Sequence, residues 1–392
     1  MGTPGLFAEA VDRIGGEPIP ARMARKAPIR HLDPLLLLVT LALTAYGALM
    51  IYYATKPKQE AADLDPAIFL KRQVFFLAAG TIILLLTSMV DYRQLRAFSW
   101  LIYGAVLIGL GIVLSPLGEV VQGARRWISL GAFQIQPSEL SKIAIILVVA
   151  GYLSQRKGAV NTFHVLVGLV IVAIPCVLIY LEPDLGSMLM LVAIFMLMLI
   201  VGGGRVRHFL LLIALGAAGL ITVLQLGLLQ DYQVSRLTAF LDPNPDVQSE
   251  AYNLHQSKIA IGSGGMRGNG LDKELSQTSL DYVPEQHTDF IFTAVGEQLG
   301  FVGSAVLLGL FSFLIWRALR IAAIAADLFG TLVAAGIAAY WSVQLFVNVG
   351  MTMGIMPITG IPLPFISYGG SSLLTNFLAV GLLLNIHMRR FL

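Results

Sequence analysis

The sequence predicts an all-α polytopic membrane protein, with ten transmembrane helices and a large, partly helical extracytoplasmic loop between the seventh and the eighth. Three observations predict it. Of the 392 residues, 57% are hydrophobic and 12% are charged, about half the charge of an ordinary soluble domain. The apolar residues gather in runs close to the roughly 20 needed to cross a hydrocarbon core. Short polar loops separate the runs, so one helical domain accounts for a length that would otherwise suggest two or three soluble ones.

The chain opens with a polar, basic stretch, residues 1–33, rich in Gly and Pro. It lacks the short apolar core and small-residue cleavage site of a signal peptide. It therefore reads as a cytoplasmic tail, the first apolar run as a retained anchor, and 34–392 as one ten-helix domain. Spans are expected near 34–54, 69–90, 98–115, 139–154, 161–181, 185–202, 207–229, 290–316, 328–352 and 371–388. Ten spans put both termini on one side, and Lys plus Arg in the short loops identifies it. The tail carries five, among them Arg22, Arg25, Lys26 and Arg30. Each further loop on that side holds a basic pair: Arg93 and Arg96, Arg156 and Lys157, Arg205 and Arg207, Arg317 and Arg320, Arg389 and Arg390. Opposite, 182–184 and 353–370 hold none, although Lys56, Lys58, Lys71 and Arg72 lie around 55–68. Both termini are expected in the cytoplasm.

Three outer segments are unusual: 116–138, the long loop 230–289, and the chargeless MGIMPITGIPLPFISYGG. A 60-residue loop far exceeds usual connections and is either functional or disordered. Within it, AYNLHQSKIAIG spaces Tyr252, Leu254, Ile259 and Ile261 as a short amphipathic helix on the membrane surface would. No internal repeat is visible, which weighs against a repeat-built secondary transporter. The formal charge of +3 is small and scattered, so nucleic acid is set aside. The single cysteine, Cys176, lies within IVAIPCVLIY and excludes both a disulfide framework and a cysteine metal site.

Ionisable residues at apolar spans raise functional hypotheses by default, and four clusters stand out. In GARRWISLGAFQIQPSELSK, Arg125 and Arg126 precede Pro137, which suits a first helical turn. Glu139 and Lys142 then lie three apart on one face, close enough to pair. On spacing alone they are a structural ion pair at the membrane edge or, with the arginines, a cationic site for a phosphate-bearing ligand. In LEPDLGS, Glu182 and Asp184 flank a proline, the usual pattern of solvated turn residues or helix caps. In HQSKIAIGSGGMRGNG, the glycines form a flexible turn or present backbone N–H groups to an anion beside Lys258 and Arg267. In VPEQHTDFIF, Asp289 falls in the first turn of the eighth span, where the helix dipole favours negative charge. His287 suits a cap or loop, and no second histidine stands at metal-ligand spacing. The expected topology brings all four clusters to the outer face, as a site for an amphiphilic anion with its tail in lipid would require.

Those four motifs, with GIMPITGIPLPFISYGGSSLL, resemble the SEDS family, the shape, elongation, division and sporulation proteins of bacterial cell-wall synthesis. The similarity runs from about residue 33 to the end, and IGSGGMRGNG and GIMPITGIPLPFISYGG are more like the elongation branch, RodA, than the division branch, FtsW. The resemblance implies a peptidoglycan glycosyltransferase that polymerises lipid II on the outer face of the bacterial cytoplasmic membrane, with a class B penicillin-binding protein as crosslinking partner. It makes Asp289, the aspartate of HTDF, the essential acid. It matches Asp281 to a second acidic position, Glu139 and Lys142 to the QPSE–K motif, and Arg125 and Arg126 to the arginine pair before the tryptophan.

The α-linked diphosphate of lipid II and the β-linked product imply inversion by one in-line displacement, for which one base suffices. Asp289 is the expected base, and Arg125, Arg126, Lys142 and Lys258 are the cations expected to stabilise the departing diphosphate. Asp281 or Glu285 would raise the basicity of Asp289 by like-charge repulsion, and the helix dipole would lower it. With Glu139 and His287 these residues complete the expected substrate-binding set. No cofactor is read from the residues, although a divalent cation sharing the diphosphate charge is compatible with them. The rival readings are a lipid II flippase, whose site should lie nearer the bilayer midplane, and a scaffold that only positions a synthase.

Overall fold

The computed structural model describes residues 31–121, 124–131, 133–156, 160–227, 233–236, 250–271 and 286–391. The tail 1–30 and the site candidates Asp281 and Glu285 lie outside them. Ten apolar helices run in chain order: α1 (Pro34–Ala61), α2 (Ile68–Met89), α3 (Tyr92–Leu114), α4 (Pro137–Ser154), α5 (Thr162–Leu181), α6 (Leu185–Val201), α7 (Val206–Gln225), α9 (Ile291–Ala323), α10 (Leu328–Met353) and α11 (Gly370–Met388). A further helix, α8 (Glu250–Ser263), belongs to the long loop. Nine of the ten are long and apolar enough to cross a membrane, and α6, at 17 residues, is slightly shorter.

Polar side chains cap several of the helices. Asp33 accepts from Leu35 N and Leu36 N ahead of Pro34, Asp91 from Arg93 N, Asn161 and His164 form a capping box, and Asp327 accepts from Gly330 N at 2.7 Å. Each cap satisfies N–H groups that have no partner within the helix, a need that lipid sharpens because no water is there to take its place.

The bundle has a centre and a rim. α4, α10 and α11 are buried on nearly all sides, whereas α2, α3 and α7 expose most of their side chains. Lipid gives little apolar drive to bring helices together, so small residues and interhelical hydrogen bonds do that work. Gly336 abuts Ile146 and Met198, and Gly168 abuts Phe195. Trp341 Nε1 donates to Asn376 Oδ1 at 2.8 Å between α10 and α11. The two ends of the described chain meet, with His387 Nδ1 2.9 Å from His31 O and the His31 and Phe391 rings edge to face.

Two outer segments differ from expectation. Residues 118–135, read as a turn-rich strip, form a three-stranded antiparallel sheet, β1 (Gly118–Val121), β2 (Ala124–Leu130) and β3 (Phe133–Ile135), in the order β1-β2-β3. α8 exists, but the apolar row expected on the membrane surface is divided, with Leu254 buried against protein and Ile259 exposed. Its buried row is Ala251, Leu254, Ser257 and Ala260, packed on α9 and α10. Ser257 Oγ lies 2.5 Å from Thr293 Oγ1 and donates to Thr352 O at 2.9 Å. Small residues on that row let the helix approach closely enough for these hydrogen bonds.

The glycine-rich stretch after α8 neither flexes freely nor offers its N–H groups to an anion. α9 is broken at Gly300, where φ is 65° and ψ −160°, a backbone region open essentially to glycine alone. The stretch fills the break: Asn269 N donates to Glu297 O, Gly270 N to Gln298 O, Phe301 N to Gly265 O and Val302 N to Met266 O. Gly264 and Gly268 approach α9 so closely that a Cβ on either would overlap its carbonyls.

Candidate functional site

The loop between α10 and α11, residues 354–369, is where the outer segments converge. α10 holds it from beneath through buried Gln344 and Asn348, four apart on one helical face. Gln344 Nε2 donates to Pro362 O at 2.6 Å, and Asn348 Nδ2 donates to Ile361 O and to Asp289 O, each at 2.8 Å. A single amide thus fixes the backbone of the loop and of residue 289 together. Ser367 Oγ donates to Thr288 O at 2.6 Å and Tyr368 N to His287 O at 2.9 Å. The His287 ring sits edge-on to Phe69, centroids 5.0 Å apart, and near Tyr368.

Asp289 lies in the turn just ahead of Phe290, the cap residue of α9, and so outside the first helical turn expected for it. Its Oδ2 is 3.3 Å from the point a Cβ on Gly360 would occupy, and Arg236 Nη1 is 3.4 Å from the same point. Gly360 has φ +71°, so glycine is needed there both for the backbone and for the room between carboxylate and guanidinium.

The first turn of α6 reaches the same loop, since a Cβ on Gly186 would lie 2.7 Å from Thr359 O. Asp184 caps α6 through Ser187 N and Oγ, and its Oδ2 is 3.4 Å from Ser138 Oγ on α4. The cap reading therefore holds for Asp184, and the solvated-turn reading fails for Glu182. Glu182 is fully buried, and neither of its carboxylate oxygens has a hydrogen-bond partner among the described residues. Burial foremost, then Asp184, raises its pKa to about 8 against the opposing charge of Arg126.

The arginine pair is split. Neighbours on a strand point to opposite faces, so on β2 Arg126 donates through Nε to Glu182 O at 3.1 Å and through Nη2 to Pro183 O. Arg125 is exposed and donates to Ser115 O at 3.3 Å. Glu139 and Lys142 do pair, Nζ to Oε1 at 2.5 Å, and with side chains 3% and 1% exposed they are buried between the helices. Lys142 Nζ also stands 5.5 Å from the centre of the Tyr340 ring, on the α10 face that carries Gln344 and Asn348. Lys258 is exposed on α8, with its terminal atoms over the left-handed Gly354 that ends α10. Among the described residues no three His, Cys, Asp or Glu side chains come together to hold a metal ion.

A family model described as cell cycle protein, covering FtsW, RodA and SpoVE, matches residues 33–391. The chain belongs to the SEDS family. Stage V sporulation protein E of Bacillus subtilis is 39% identical over 357 residues, spanning 90% of this chain and 96% of that protein. Peptidoglycan glycosyltransferase MrdB of Escherichia coli K12 is 37% identical over 360 residues, 92% of this chain and 94% of that protein. A chain from a peptidoglycan synthase complex, described as coordinating polymerization and crosslinking, superposes with a TM-score of 0.76 at 30% identity, over 92% of this chain and 98% of that one.

In this SEDS protein, reading the sequence missed Arg236, Asn348 and Gly360 as neighbours of Asp289. Arg236 stands in DYQVSR of the long outer loop, where an isolated arginine carries no spacing signal. The only sign of Asn348 is its spacing of four from Gln344 in an apolar span.

Proposed function

We propose that this SEDS protein is a peptidoglycan glycosyltransferase that polymerises lipid II, serving cell elongation in concert with a class B penicillin-binding protein. The supporting observation is the carboxylate of Asp289 facing the Arg236 guanidinium across Gly360, in a loop that also meets the Arg126 and Lys258 segments. An acid beside cations is what an in-line displacement at a sugar diphosphate requires. The acceptor's 4-hydroxyl oxygen attacks the anomeric carbon of the donor and the new C–O bond forms. The bond to the diphosphate breaks with its electrons staying on phosphate oxygen, and Asp289 takes the hydroxyl proton. Arg236, Arg126, Lys142 and Lys258 are the groups proposed to stabilise charge gathering on the diphosphate, with Arg125 at the outer lip. Asp281 and Glu285 are proposed to tune Asp289, and Glu139 and His287 to shape the sugar site. Both termini are cytoplasmic in this reading, which puts the site on the outer face of the membrane.

The test is purified Asp289→Asn, with its crosslinking partner, given fluorescent lipid II. A folded variant is expected to lose glycan polymer by at least about a hundredfold, the usual range for a lost general base. Polymerisation at the native rate would end the assignment. Lipid II movement across vesicles without polymer would replace the enzyme with a flippase.

A further inference from the structure

At the end of the bundle where His31 meets His387 and Phe391, opposite the Asp289 site, the first, eighth and tenth spans line an open cavity of about 610 Å³. Its polar wall is Asp33, Arg317, Arg320, His387 and Arg390. Asp33 is committed twice, capping α1 and pairing with Arg317 Nε at 2.5 Å. No carboxylate among the described residues pairs with Arg320 or Arg390. Arg320 lies over the Trp316 ring, 5.5 Å from its centre, and Arg390 lies over Phe391 and meets His387 Nε2 through Nη1. Three guanidiniums against one carboxylate leave a surplus of two positive charges in a cavity whose other walls include Leu35 and Ile324.

Those apolar walls continue outward. Leu35, Leu38 and Leu41 are all exposed along one side of α1, a lipid-facing row that begins at the cavity. Half-exposed Trp316 marks the depth at which aromatic side chains settle at a membrane interface. The cavity therefore offers two guanidiniums at headgroup level and an apolar track for a chain below them. A phosphate diester satisfies the guanidiniums by paired N–H···O bonds. The surplus positive charge disfavours a headgroup that also bears an ammonium. The tail 1–30 is a poor occupant on charge grounds, since it carries five Lys or Arg against three Asp or Glu.

We infer that this cavity is a binding site for the phosphate of an anionic phospholipid, with Arg320 and Arg390 as its principal contacts. The inference rests on the membrane-spanning fold and is independent of the glycosyltransferase reading. The test uses the full chain in nanodiscs of phosphatidylcholine with graded phosphatidylglycerol, counting retained lipid by native mass spectrometry. Phosphatidylglycerol is expected to be retained over phosphatidylcholine. R320Q/R390Q is expected to weaken that retention roughly 25-fold, at about a fivefold loss for each arginine near a membrane surface. R205Q/R207Q, at exposed positions on the same side, is expected to leave it unchanged. Should the double variant not fold, R320Q alone, at an exposed site, reads the fivefold step. Equal retention of both lipids, an equal loss in R205Q/R207Q, or full displacement by millimolar inorganic phosphate would overturn the inference.

Discussion

Lys142 and Glu139 face each other inside the bundle, where a charge without its partner is expensive. Lys142→Met would strand the Glu139 carboxylate, and a melting measurement in detergent is expected to show a loss of about 3–5 kcal/mol. Glu139→Gln/Lys142→Met removes both charges and is expected to recover most of that stability. If Lys142 meets the diphosphate, the recovered variant still forms no polymer; native polymerisation would leave the pair a purely structural one. Glu182 makes a second prediction at this scale. Its carboxyl titrates near 4.5 when exposed and at about 8 when folded, so between these values the folded chain holds a proton that the unfolded chain releases. This contribution to stability is complete below about pH 4.5 and is lost as pH rises through 8. Glu182→Gln keeps the shape without the ionisation, and its melting temperature is expected to lose that decline. An unchanged slope would assign the decline to another group. Asp289 and the 139–142 pair were readable as residues because each sits in a motif. Arg236 was not, because its relation to Asp289 exists only through space.

Among the elements, the break in α9 couples the eighth span to the loop helix. Residues 296–302 lend their backbone to the stretch 264–270, and Gly300 makes the turn possible. Gly300→Ala is expected to cost at least about 1–3 kcal/mol, since its backbone angles suit glycine almost alone and its Cβ would meet Gly268 and Arg267. Gly309→Ala, in the same helix with nothing within 4 Å of the new Cβ, is expected to be neutral or to gain up to about 1 kcal/mol. Thermal melts of the two variants check both, and equal effects would mean that the break does not constrain the fold. Apolar run length revealed α9 in the sequence, but the break was not legible, because glycine is common in membrane helices and a single one carries no angle. The sheet β1-β2-β3 went unread for a related reason. Its strands are three to seven residues long, too short for alternation to stand out among turn residues, and with it went the opposed facing of Arg125 and Arg126.

For the whole molecule, the ten spans followed from the sequence because burial in lipid leaves a backbone little choice. Every N–H must be satisfied within its own segment, and about 20 apolar residues do that as one helix. The count of spans put both termini on one side, and the contact between His31 and His387 agrees. The family was legible too, since its motifs are contiguous stretches. What the sequence by itself determined was therefore what is encoded locally: span number, the Asp184 cap, the Glu139 and Lys142 pairing, and the acid expected to act. Tertiary structure alone decided which helices form the centre, that Asn348 fixes residue 289 and the 354–369 loop together, that Arg236 stands across Gly360 from Asp289, and that Glu182 is buried. Helical and strand periods fix which side chains share a face, but only packing fixes what that face meets, and contacts between residues tens or hundreds of positions apart leave no periodic trace in a single chain.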